Sequence, residues 1–98
     1  MRQSNSNILI TGGAGYIGSH VAEVLVKKKY NVILFDNLIT GHKKLINKKA
    51  QFINGDIKNL NKLSKVIKNF KIDSIIHLAA FLNVSEAEIN KKNIIIIT

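Results

Sequence analysis

The sequence contains no cysteine, no proline and no tryptophan, a single arginine, Arg2, and only six acidic residues. Without cysteine there is no disulfide, no thiolate metal site and no thiol nucleophile, and a reducing compartment suits such a chain. No apolar run approaches the roughly 20 residues of a membrane span, and the polar opening MRQSNSN carries no secretory h-region. The expected location is the cytoplasm, with no membrane partner. The carboxylates are few and scattered, and His20 and His42 do not stand at ligand spacing, so no metal site is expected either.

Lysine is what the chain has in excess, and the formal net charge is +9. Such a balance invites a polyanion as partner, because clustered cations displace the counterions of phosphates. Against that stands composition: 14 lysines, 12 asparagines and 17 isoleucines in 98 residues indicate a general bias, and the lysines are spread along the chain. Solvated faces are the expected place for them, and nucleic-acid binding is the minor alternative, recognisable by a steep salt dependence. The hydrophobic share, 46%, is that of a globular chain, and 98 residues allow one domain at most.

Apolar runs alternate with amphipathic ones. NILIT (7–11), NVILFD (31–36), QFINGD (51–56) and SIIHLAA (74–80) are short and bounded as buried parallel strands are. Between the first two, residues 16–29 place Ile17, Val21, Val24 and Leu25 at helical spacing and end in three lysines, which suit the negative end of a helix dipole. Residues 37–50 read as a polar loop with room for one helical turn. Asn59 is placed to cap a second helix whose inner face is Leu60, Leu63, Val66, Ile67 and Phe70, leaving Lys62, Lys65 and Lys68 in water. Strands alternating with helices predict an α/β fold, a partial Rossmann fold with a parallel sheet of about four strands, ordered over residues 7–80. Beyond residue 80 the pattern loses definition and ends in four isoleucines, which leaves the outer edge of the fourth strand without a neighbour.

The turn after the first strand, GGAGYIG, is rich in bare backbone. Gly13, Gly15 and Gly18 satisfy a G-x-G-x-x-G spacing, and Gly12, Gly15 and Gly18 equally satisfy G-x-x-G-x-x-G. Glycines there allow a sharp turn, a close approach of a pyrophosphate and tight packing of helix on strand, with the helix N-terminus facing the phosphates. Asp36, at the end of the second strand 21 residues after Gly15, is placed to accept from an adenosine ribose and to repel a 2′-phosphate, which favours NAD over NADP. Asp56 is a candidate for the adenine amino group or simply an acid that ends a strand. His77, inside the fourth strand, reads as a packed and hydrogen-bonded core residue.

ITGGAGYIGSH, DNLITGHKK, FINGDI and IDSIIHLAAF, in this order, resemble the opening of the extended short-chain dehydrogenase/reductases of the NAD-dependent epimerase/dehydratase family. DNLITGH, residues 36–42, tilts the resemblance to the UDP-glucose 4-epimerase branch, which interconverts UDP-glucose and UDP-galactose in galactose metabolism. The resemblance runs from Asn7 to about Glu86 and covers the N-terminal third of the family's chain. It implies NAD as cofactor, with Tyr16 and Ile17 over the pyrophosphate, Asp36, Asn37, Leu38, Thr40 and Gly41 around the ribose, Asp56 and Ile57 at adenine, and Leu78, Ala79, Ala80 and Phe81 beside ribose and nicotinamide. Leu82 falls where some members carry a lysine. Ser85 and Glu86 are substrate-side candidates, although Ala87 departs from the family's pattern there. Full-length members pair as homodimers and bind a UDP-hexose.

The family's chemistry also needs a tyrosine with a lysine four residues on, to take the hydroxyl proton as hydride passes to NAD. This sequence has only Tyr16 and Tyr30, followed at that distance by His20 and Leu34. No catalytic residue is therefore assigned. The expectation is an N-terminal NAD-binding fragment of the family, inactive alone. The alternatives are a non-catalytic NAD-binding module and a fragment of another sugar-nucleotide epimerase or dehydratase.

Overall fold

Short apolar runs buried on both faces become the strands. The structure, a computed structural model, describes residues 6–12, 16–37, 47–78 and 93–96. The elements are β1 (Asn7–Thr11), α1 (Tyr16–Lys27), β2 (Asn31–Asp36), β3 (Gln51–Asn54), α2 (Leu60–Asn69), β4 (Ser74–His77) and β5 (Asn93–Ile96). All neighbouring strands are parallel, in the order β3-β2-β1-β4-β5. The α/β parallel sheet is thus as the alternating pattern predicts. Among the described residues no helix is long and apolar enough to cross a membrane.

Alternation along the strands divides the core into two layers. Ile8, Ile10, Val32 and Leu34 face α1, which contributes Ala22, Val21, Leu25 and Val26. Leu9, Ile33, Phe35 and Ile75 face α2, which contributes Leu63, Val66 and Ile67. The N-cap of α2 forms as expected, Lys62 N donating to Asn59 Oδ1 at 3.1 Å, and Lys62, Lys65 and Lys68 are exposed.

Three expectations are corrected. The outer edge of β4 does have a neighbour: β5 pairs with it in register Ser74↔Asn93 to His77↔Ile96. A β-branched run favours extended backbone even without turn signals around it. Second, α1 turns only part of its expected apolar face to the sheet: Val21 and Leu25 pack against the core as their spacing suggests. Gly18 and Ala22 are its buried residues, while Ile17 and Val24 are 57% and 51% exposed. Small side chains at i and i+4 let the helix axis settle close to the strands, and that seat rolls Ile17 and Val24 outward. Third, α1 stops at Lys27, and β3 and β4 are shorter than their apolar runs, ending at Asn54 and His77.

Both helices end alike. Tyr30 N donates to Leu25 O and Lys29 N to Val26 O, and likewise Ile72 N to Ile67 O and Lys71 N to Lys68 O. These are two Schellman motifs, with Lys29 (φ 73°) and Lys71 (φ 52°) at the left-handed position that glycine usually holds. A lysine there carries backbone strain. Lys29→Gly and Lys71→Gly are each expected to raise stability by about 0.5–1 kcal/mol, read as a higher urea midpoint, whereas Lys→Ala at either position gives no such gain.

Candidate functional site

The strand order fixes where a ligand fits. The chain steps outward from β1 through β2 to β3, then returns across the sheet through α2 to β4. In an open parallel sheet this reversal opens a crevice beyond the carboxyl ends of the strands, here between β1 and β4.

Backbone bonds carry each ladder one residue past its strand along that edge. Gly12 N donates to Phe35 O at 2.9 Å, Gly55 N to Asp36 O at 3.0 Å, and Leu78 N to Thr11 O at 3.0 Å. Gly12, Asp36, Asn37, Asp56 and Leu78 therefore stand on one edge of the sheet. Gly12 has φ 79°, a left-handed conformation that a side chain strains, and it sends the chain from β1 toward the start of α1. The first turn of α1 carries no acidic side chain, so nothing there competes with an anion for the helix dipole. Tyr16, 70% exposed, and Ile17 form that turn, with Tyr16 packed edge-on to His20 at a centroid distance of 4.6 Å. Gly18 is buried where α1 meets the sheet.

Asp36 closes β2 and is buried. Asp56 is held by its neighbours: its Oδ1 accepts from Lys58 N at 2.8 Å and its Oδ2 from Asn37 Nδ2 at 3.4 Å. Ile57 is half-buried and packs against the core under α2. Gly13, Gly15, Leu38, Thr40, Gly41, Ala79, Ala80, Phe81, Ser85 and Glu86 lie outside the described residues. Among those described, no three His, Cys, Asp or Glu side chains converge as a metal site would require.

Two features of this edge escape the sequence pattern. Gly55 faces Phe35 so closely that a Cβ there would lie 2.4 Å from the ring's Cζ. Thr11 and His77, the last residues of adjacent strands, are buried together with Thr11 Oγ1 2.5 Å from His77 Nδ1. The signal for the second is a polar residue at the end of each apolar run, but their partnership spans 66 residues. His77 Nε2 is buried without a hydrogen-bond partner among the described residues.

Burial pushes the His77 imidazole below its ordinary value of 6.5, because a charged ring would lose its hydration. The unfolded chain therefore takes up a proton near pH 6.5 that the folded chain resists. The stability contributed by neutral His77 is fully present above about pH 6.5 and is lost as pH falls toward the folded value. Urea midpoints measured from pH 8 down to pH 5 are expected to decline below about 6.5 in the natural chain and to fall less steeply in His77→Gln. Equal slopes would refute the assignment.

Residues 8–97 match the model of a family described as NAD dependent epimerase/dehydratase. The chain is 48% identical over 80 residues to a UDP-glucose 4-epimerase of Lacticaseibacillus casei, covering 82% of this chain and 24% of that one. It is 50% identical over 78 residues to a putative UDP-glucose 4-epimerase of Methanocaldococcus jannaschii, covering 79% and 25%. Among solved structures, the UDP-glucose 4-epimerase of Thermotoga maritima with UDP-glucose superposes with a TM-score of 0.73 at 37% identity, over 83% of this chain and 26% of that one. The UDP-glucose 4-epimerase of Brucella ovis in complex with NAD gives 0.73 at 36% identity, over 84% and 25%. The chain spans about a quarter of the length of these relatives.

Proposed function

The chain belongs to the NAD dependent epimerase/dehydratase family, and from that membership we propose that it binds NAD along the carboxyl edge of its sheet, as the nucleotide-binding part of a UDP-glucose 4-epimerase. The observation that carries this reading is the left-handed turn at Gly12, set at the strand-order reversal with Asp36 one strand away. The residues fit the cofactor. A backbone turn without a Cβ, running into a helix start free of carboxylates, accepts a pyrophosphate, and an acid at the end of the next strand accepts from a ribose.

In this reading Gly12, Gly13 and Gly15 bring backbone to the phosphates and Tyr16 and Ile17 cover them. Asp36 binds the ribose hydroxyls and excludes a 2′-phosphate, with Asn37, Leu38, Thr40 and Gly41 around it. Asp56 and Ile57 hold adenine, Leu78 to Phe81 line ribose and nicotinamide, and Ser85 and Glu86 approach the sugar nucleotide. NAD, when bound, supplies a hydride acceptor. The 98 residues correspond to the N-terminal part of a Rossmann domain working in the cytoplasm, and a UDP-hexose and dimerisation are expected only together with further segments of the relatives' chain.

Neither tyrosine has the lysine partner that proton abstraction needs, so the 98 residues bind without turning over. Titration of the chain with NAD is expected to give saturable micromolar binding, much weaker for NADP, with no interconversion of UDP-glucose and UDP-galactose. A folded chain that ignores millimolar NAD would overturn the cofactor assignment. Turnover by the chain alone would overturn the absence of a catalytic pair.

A further inference from the structure

The opposite, amino-terminal edge of the sheet holds a groove of about 410 Å³. Strand starts and helix ends form it: Asn7, Asn31 and Gln51 open β1, β2 and β3, Asn69 and Lys71 end α2, and Lys49 leads into β3. Its size lies within the roughly 300–1,000 Å³ of small-molecule sites. Nothing in the NAD reading uses this edge.

Six of the lysines that are scattered in sequence stand at this edge, two of them, Lys49 and Lys71, lining the groove. Parallel topology puts the ends of both helices and the entry to β3 on this one rim, and so brings together Lys28, Lys29, Lys48, Lys49, Lys68 and Lys71, all exposed. Among the described residues none of these six is paired with a carboxylate. The ion pair described in the region is Lys27 with Glu23, at 3.6 Å. The nearby carboxylate Asp73 accepts Asn7 N at 2.8 Å.

These ammonium groups are not needed to cap the helices. The carbonyls of Leu25 and Val26 in α1 and of Ile67 and Lys68 in α2 accept backbone N–H groups, and Asn7 Nδ2 takes Phe70 O at 2.9 Å and Lys71 O at 3.2 Å. The negative ends of both dipoles are thus largely satisfied by backbone and amide donors, and the lysine charge is left over. Tyr30, Gln51 and Asn69, which carry neutral hydrogen-bonding groups, are among the other residues that line the groove.

We propose that this groove is an anion site, flanked by Lys49 and Lys71, for a small ligand carrying two or more phosphate groups. A single-stranded nucleic acid is disfavoured because it needs exposed rings for base stacking. The two rings here, Tyr30 and Phe70, pack against the two core layers.

Inorganic tripolyphosphate, titrated into the full chain without and with millimolar NAD, tests the site. Saturable binding is expected, weakened roughly tenfold or more in the double variant Lys49→Gln with Lys71→Gln, which removes two charge-assisted contacts. The double variant Lys58→Gln with Lys65→Gln, with the same net charge but altered away from the groove, is expected to stay within about twofold of the natural chain. Equal losses in the two doubles would mean diffuse attraction and overturn the proposal. So would displacement of tripolyphosphate by NAD, which places it at the glycine turn, or tighter, Lys49- and Lys71-dependent binding of an oligothymidylate. NAD titration of the Lys49, Lys71 double variant stays unchanged in either case, so the groove and the dinucleotide reading stand or fall separately.

Discussion

Asp36→Ala is expected to weaken NAD binding by roughly 10- to 100-fold and to abolish most of the preference over NADP. A carboxylate accepting from the two ribose hydroxyls makes charge-assisted hydrogen bonds worth about 1.5–3 kcal/mol each, of which water in the vacated space recovers part. The position suits that role. Asp36 ends β2 at the carboxyl edge and is buried, and its backbone carbonyl is fixed by Gly55 N at 3.0 Å. NADP is expected to behave differently from NAD, because under the proposed reading its 2′-phosphate would meet like charge at Asp36 in the natural chain. Removing the carboxylate removes that repulsion while the ribose contacts are also lost, so NADP affinity falls less than NAD affinity or rises. The ratio of the two affinities, from calorimetric titration of both nucleotides, is the decisive readout. A purely structural role for Asp36 would lower both equally, in step with a lower unfolding midpoint, and would remove it from the site.

What the sequence discloses and what it hides divide along physical lines. β1 and β2 have the bounds that NILIT and NVILFD suggest, because a strand buried on both faces must be apolar at every position and its ends are marked by polar residues. The α2 face follows equally directly from a capping asparagine and a 3.6-residue period. The seat of α1 follows only in part: Gly18, Val21 and Leu25 lie against the sheet as their spacing suggests, whereas Ala22 is buried in place of the more hydrophobic Ile17 and Val24. Lys29 and Lys71 in left-handed conformation are hidden for a related reason: tertiary contacts of Tyr30 and Ile72 with the core hold a motif whose usual glycine is absent. β5 is hidden because its partner strand lies on the far side of an unpatterned segment. At the carboxyl edge, Gly12 and Asp36 are legible as local signals around a turn and a strand end. The pairing of Thr11 with His77 and the approach of Gly55 to Phe35 depend on strand register, which no local window contains.

Phe35→Ala is expected to cost about 3–5 kcal/mol, a large share of the roughly 5–15 kcal/mol that holds a domain of this size together. The ring is fully buried in the layer under α2, with Leu9, Ile33, Leu63 and Ile75, and no exposed side lets the site collapse. Its position is also bounded from the carboxyl edge, because Gly55 offers the ring the space that a Cβ would fill at 2.4 and 2.5 Å from Cζ and Cε1. Gly55→Ala therefore forces a fully buried ring to shift and is expected to cost about 1–3 kcal/mol through overpacking. The two positions act through one contact, so their effects are not additive: in a Phe35→Leu background, where the ring is gone, Gly55→Ala is expected to cost about 1 kcal/mol less than in the natural chain. Urea unfolding of the four chains measures that coupling. Since Gly55 N bonds Asp36 O and Phe35 O accepts from Gly12 N, a displaced ring is also expected to shift the backbone between Gly12 and Asp36. Gly55→Ala is thus expected to weaken NAD binding even where the chain remains folded, and additive stabilities together with unchanged NAD affinity would show that the ring and the edge are not coupled.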